Sequence, residues 1–161
     1  MGPWWIDKPT ILGSSNPTSA ELGNLYSEGF RTIISLLDEK QQPPNYDVRE
    51  IERIGFKRYS IPIKDGTAPT LPKFKTFLKI IQASKDKILI HCQGGAGRTG
   101  TMAAAYWMKK GLSAKEAIEK VRKSCRQAVE TPGQERSLHR LEAAMKGRNS
   151  ILSRLVRRGF N

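Results

Sequence analysis

Four short apolar runs rich in β-branched residues punctuate the chain, and between them the apolar positions recur at helical spacing. The runs Thr10–Leu12, Thr32–Leu37, Tyr59–Ile63 and Ile88–Cys92 predict strands. Thr18-Ser-Ala-Glu21 has the form of a capping box and predicts a helix ending near Gly29. Tyr46–Ile54 predicts a short helix closed by Gly55, and Leu71–Ala83 puts Phe74, Phe77, Leu78 and Ile81 on one helical face. Thr99–Lys110 is rich in alanine and stops at Gly111. Ser113-Ala-Lys-Glu116 opens another helix, to about Arg126. Thr131-Pro-Gly-Gln134 opens a last one, with Pro132 at its first position. Strands alternating with helices predict one α/β domain, a central, mainly parallel sheet of four to five strands flanked by helices.

The length, 161 residues, suits one domain with a core of its own, and 38% hydrophobic content predicts a globule rather than a disordered chain. A catalytic unit over 1–147 and a basic tail over 148–161 are the expected organisation. In the tail Ile151, Leu152, Leu155 and Val156 share a helical face, with Arg148, Arg154, Arg157 and Arg158 elsewhere. That pattern fits a basic helix laid on the domain, with a polyanion or membrane surface as the alternative contact. The net charge of +13 predicts anionic partners without choosing among phosphoproteins, nucleic acid and small phosphates. No apolar stretch reaches membrane-spanning length, and MGPWWIDKPT lacks the apolar core of a signal peptide. A cytoplasmic, reducing setting is therefore expected, where Cys92 and Cys125 stay thiols. Two cysteines without a Cys/His cluster predict no metal site.

The most informative stretch is IHCQGGAGRTG, residues 90–100. A buried strand delivers Cys92 to its carboxyl end, a Gly-rich turn follows, and a helix starts. Ligands of open α/β sheets sit beyond the carboxyl ends of strands. The turn Gln93-Gly94-Gly95-Ala96-Gly97 would converge backbone N–H groups on an anion, helped by the helix dipole. The same field favours a thiolate, and the planar fork of Arg98 suits two phosphate oxygens. No Gly-Lys-Ser/Thr follows, so this is not a nucleotide P-loop.

His91, Cys92, Gly95, Arg98, Thr99 and Gly100 fill every defined position of HCxxGxxR(S/T)G. The stretch resembles the signature of the cysteine-dependent protein tyrosine phosphatases. The order and size of the whole chain resemble the small atypical dual-specificity phosphatases and their compact archaeal counterparts. The resemblance implies hydrolysis of phosphate monoesters through a phosphocysteine on Cys92, with Arg98 and the loop amides of 93–98 holding the phosphate. It implies that Thr99 donates to the departing sulfur, that His91 is a structural neighbour, and that no cofactor is required. It implies an aspartate acid on a loop upstream. Asp65, in Ile61-Pro-Ile-Lys-Asp65-Gly after a predicted strand, is the candidate, and Asp38 is the reserve. Lys64 stands where the family's loops often place proline. Glu130 and Gln134 resemble the residues that position the attacking water, although Thr131 and Gln134 also spell a capping box.

The implied partners are phosphorylated proteins or aryl phosphates: phosphotyrosine, with phosphoserine and phosphothreonine as further substrates. The absence of lysine inside the loop argues against phosphoinositides. An RNA 5′-phosphatase and a phosphopeptide-binding module without turnover are the alternatives, nucleic acid being the less favoured partner. An arsenate reductase or sulfurtransferase would not need the Asp65 loop. A monomer is expected. Gly94 is an extra glycine beside Gly95, so the loop is expected either to sample an open form or to carry a neutral substitution. Cys125 is expected to be an inert helix cysteine, a protective disulfide with Cys92 being the alternative.

Overall fold

The computed structural model of the chain describes residues 2–158, those from 148 to 158 by their backbone alone. The strands are β1 (Trp4–Asp7), β2 (Ile11–Ser14), β3 (Phe30–Ser35), β4 (Lys57–Ser60) and β5 (Lys87–His91). The helices are α1 (Ser19–Ser27), α2 (Val48–Arg53), α3 (Leu71–Ala83), α4 (Gly97–Lys109), α5 (Ala114–Ser124) and α6 (Pro132–Arg158). The sheet runs β1-β2-β5-β3-β4, antiparallel between β1 and β2 and parallel elsewhere. This is the expected α/β domain, with β1 as an additional edge strand.

Why these segments form these elements is mostly local. Thr18 and Ser113 each accept the backbone N–H three residues on, while Glu21 and Glu116 reach back to the cap. Gly29, Gly55 and Gly111 close their helices at φ of +94°, +114° and +108°. On β5, Ile88 and Ile90 face the core under α3, α4, α5 and α6, while Leu89 faces the smaller core under α1 and α2. A strand buried on both faces reads as an unbroken apolar run, as β5 does.

Several expected boundaries move by one to three residues, among them Thr32–Leu37, found as Phe30–Ser35, and Tyr46–Ile54, found as Val48–Arg53, and three further shifts have a structural reason or consequence. The fourth strand ends at Ser60, not Ile63. Ile61 and Ile63 are buried, and their N–H groups donate to Ser35 O at 2.8 Å and Leu36 O at 3.2 Å. Pro62 between them has no N–H, so the ladder stops there. Helix α4 starts two residues early, at Gly97, which brings Arg98 into its first turn. Helix α6 runs on through 147 to Arg158 without a break at the expected domain boundary. The tail's apolar face and its arginines lie outside the described side chains.

Strand β5 is the switch point of the sheet, flanked by β2 and β3 from separate crossovers. Ser14, His91, Ser35 and Ser60 stand side by side where the parallel strands end. The loops after them, 15–18, 92–96, 36–47 and 61–70, therefore open at one edge. The short edge strand β4 carries Lys57 and Arg58. Among the described residues no helix is long and apolar enough to cross a membrane.

Leu89 is fully buried at the centre of this sheet. Leu89→Ala should lower the unfolding free energy by about 2–5 kcal/mol. Urea unfolding of wild type and variant reads the difference.

Candidate active site

Cys92 follows directly on β5 and is buried, 2% exposed. Two donors meet its sulfur, the Gly95 N–H at 3.2 Å and the Thr99 hydroxyl at 3.1 Å. The turn that permits this needs glycine at 95. Its φ is +80°, and a Cβ there would lie 2.5 Å from Ser15 N. Gly94 has open space where a Cβ would stand. At Gly97, a Cβ would come 2.1 Å from a Glu130 carboxylate oxygen and 3.1 Å from Gln134 Nε2. The loop is thus packed on β2 at one end and on the 130–134 segment at the other.

Groups far away in sequence hold the loop from outside. The Trp4 indole N–H donates to Gly95 O at 2.9 Å. Asn16 donates through its backbone to Gln93 O at 3.2 Å, and through Nδ2 to Gln93 Oε1 at 3.1 Å and Pro43 O at 3.0 Å. Neither Trp4 nor Asn16 carries a local sequence signal for this. Their partners are fixed by strand order.

Beneath the loop lies a buried polar chain. Arg58 Nε donates to the Tyr46 hydroxyl at 2.8 Å, and that hydroxyl lies 2.9 Å from His91 Nε2. A guanidinium only donates, so it fills a lone pair of the Tyr46 oxygen. Burial first, then the charges of Arg58 and Arg98, push His91 down to about 3 against an opposing pull from the Cys92 backbone. The ring is therefore neutral. Arg58 Nη2 is also paired with Glu39 at 2.5 Å. Burial pushes the Tyr46 hydroxyl up, so it stays protonated.

Arg98 is 1% exposed, which requires acceptors around it. Its Nη1 donates to Ile63 O at 3.0 Å and its Nη2 to Gln42 Oε1 at 2.8 Å. Nη2 also lies 2.8 Å from Asp65 Oδ1. The structure thus brings Asp65 beside Arg98 and adds Gln42, which nothing in the sequence marked. Asp38 is not brought to Arg98. Its carbonyl instead accepts the N–H of Gln41 at 2.9 Å and of Gln42 at 2.8 Å.

Gln134 makes the expected capping contacts, Oε1 accepting Thr131 N–H at 3.2 Å and its own N–H donating to Thr131 Oγ1 at 3.2 Å. It does more, since Nε2 donates to Thr67 O in the Asp65 loop at 3.2 Å. Cys125 is the buried C-cap residue of α5, and burial pushes its thiol pKa up. Among the described residues no cluster of three or more His, Cys, Asp or Glu could hold a metal ion.

Comparison with known proteins agrees with this geometry. The family described as PTP-SAK, Swiss Army Knife protein, DSP-PTPase phosphatase domain, matches residues 3–145. The tyrosine-protein phosphatase cdc-14 of Caenorhabditis elegans is 34% identical over 129 residues, 71% of this chain and 18% of that protein. A human dual specificity protein phosphatase, CDC14C, is 38% identical over 78 residues, 48% of this chain and 17% of its own. The matched stretches thus span about a fifth of these relatives' length. Among solved structures, Tk-PTP in its active form superposes with a TM-score of 0.80 at 34% identity, covering 88% of this chain and 97% of Tk-PTP. PTPMT1 in complex with PI(5)P shares the fold, with a TM-score of 0.82 at 23% identity over 92% of this chain and 99% of its own. With nearly its whole described length matched, the chain belongs to the DSP-PTPase phosphatase domain family.

Proposed function

We propose that the chain is a protein phosphatase that hydrolyses phosphotyrosine, with phosphoserine and phosphothreonine as further substrates, through a phosphocysteine on Cys92. One observation carries this reading. A sulfur that accepts from Gly95 N–H and Thr99 Oγ1 at the start of α4 shares one sheet edge with Arg98 and Asp65, themselves 2.8 Å apart. Nucleophile, anion-binding fork and proton donor are the parts that phosphoryl transfer to sulfur needs.

The Cys92 thiolate attacks phosphorus in line with the leaving oxygen. The P–O bond breaks as Asp65 gives that oxygen its proton. Arg98 and the loop N–H groups carry the charge on the phosphoryl oxygens. A water then attacks the phosphocysteine while the Asp65 carboxylate takes its proton, and the S–P bond breaks. Thr99 Oγ1 donates to the departing sulfur and makes it a better leaving group. Glu130 and Gln134, both packed on Gly97, with Gln134 also bonded to Thr67 O of the Asp65 loop, would orient that water. Neutral His91 cannot serve as an acid near neutral pH. Its part is to hold the strand end in place through Tyr46.

The assay is hydrolysis of p-nitrophenyl phosphate and of tyrosine-phosphorylated peptide across pH. Cys92→Ser should abolish turnover. Asp65→Asn should lower kcat by about 10²–10⁴-fold and remove the fall in rate on the basic side, since an amide has no proton to lose. A wild type that binds phosphopeptide but turns over nothing would move the reading to a binding module. Gly94→Ala should fold normally and raise activity at low temperature by ordering the loop. Gly95→Ala should lower kcat/KM by about 10²-fold, because its Cβ must displace the Ser15 backbone. Temperature profiles of the two variants check the contrast.

A further inference from the structure

The Asp65 carboxylate is 59% exposed, on a loop, and so has much freedom to lose before it can deliver a proton. Gly66 N–H reaches Oδ1 at 3.1 Å, but that contact travels with the loop. Among the described residues two groups from other elements meet the carboxylate. Arg98 Nη2 lies 2.8 Å from Oδ1, and Gln42 Nε2 donates to Oδ2 at 2.9 Å. Gln42 also accepts from Arg98 Nη2 through Oε1. The amide's orientation follows from chemistry. Arg98 can only donate and an ionised carboxylate can only accept, so Oε1 must face the guanidinium and Nε2 the carboxylate.

The two hooks differ once an anion arrives. Arg98 must turn N–H groups toward phosphate oxygens and so loosens its hold on Oδ1. Gln42 has no such second duty. It sits on a turn fixed by Asp38 O, with Glu39 of that turn paired to Arg58 and Pro43 O held by Asn16. We infer that Gln42 is a positioning residue for proton transfer, whose carboxamide keeps the Asp65 carboxyl over the anion site while Arg98 is engaged by the phosphate. The inference rests on the phosphatase reading above and gives it a residue that no motif carries.

The loop itself has other anchors. Ile63 O is held by Arg98, Pro62 O by Lys73 Nζ at 2.6 Å and Thr67 O by Gln134. Gln42→Ala should therefore fold and keep the loop in place, losing the grip on the carboxyl together with one acceptor of Arg98, the contact that Gln42→Glu retains. A misplaced acid matters most when the leaving oxygen is a strong base. On phenyl phosphate, Gln42→Ala should lower kcat/KM, which reads only the step in which Asp65 protonates the leaving oxygen, by about tenfold, part of the ~10²–10⁴-fold that a positioned acid supplies. On p-nitrophenyl phosphate, with its more stable leaving anion, the loss should be about twofold or less. Gln42→Glu keeps an acceptor for Arg98 but offers Asp65 no donor, and should show the same split.

Equal losses on both esters, or none, overturn the inference while hydrolysis by wild type and its absence in Cys92→Ser leave the phosphatase reading standing. A Gln42→Glu variant that behaves as wild type also overturns it, since the contact to Arg98 alone would then suffice. A wild type that hydrolyses neither ester overturns the phosphatase reading, and the inference with it.

Discussion

A guanidinium shut away from water must have its N–H groups met by acceptors, and the burial of Arg98 imposes that demand on the whole carboxyl edge of the sheet. Ile63 O arrives from the loop after β4, Gln42 Oε1 from the loop after β3, and Asp65 Oδ1 from two residues beyond Ile63. Two loops that are distant in sequence thus meet on one side chain. The Asp65 loop lies where it does because a buried cation needs its carbonyl. The same cation is what a phosphate would bind, so folding and function draw on one set of N–H groups.

The sheet makes this meeting possible. Strand β5 lies between β2 and β3, although it follows both by fifty residues or more of chain. Loops that are distant in sequence therefore flank the Cys92 turn. Asn16 reaches it from one side, and Tyr46 comes under it from the other. The second buried cation, Arg58, repeats the pattern of Arg98 one strand away. It is satisfied by Tyr46 and Glu39, and its charge helps keep His91 neutral.

How far the sequence could be read follows from sequence distance. Cys92, Gly95, Arg98 and Thr99 lie within eight residues, so the spacing that makes the motif also makes the geometry. The capping boxes at Thr18, Ser113 and Thr131 are equally local and were readable for that reason. Asp65 and Asp38 both follow predicted strands, and only the family resemblance, which implies an acid on a loop upstream of Cys92, set Asp65 ahead. Gln42, Asn16 and Trp4 were not legible, because their contacts span 56, 77 and 91 residues and exist only once the strand order is known. Strand β1 escaped because it pairs as an edge over only four residues, and β4 was overrun because burial continues at Ile61 and Ile63 after the ladder has ended. Alternation reports burial, whereas a ladder needs N–H groups, and Pro62 separates the two.

The sheet that carries these loops has two free margins, and β4 is one of them. An unpaired strand edge invites a strand from another molecule, and nature blunts such edges by keeping them short and charged. At β4 the edge is four residues long and begins with the exposed Lys57. Two copies brought edge to edge would set like charges against each other before any backbone bond could form. The excess of positive charge on this chain, read first as a clue to its ligands, thus also protects the protein from its own kind when it is concentrated.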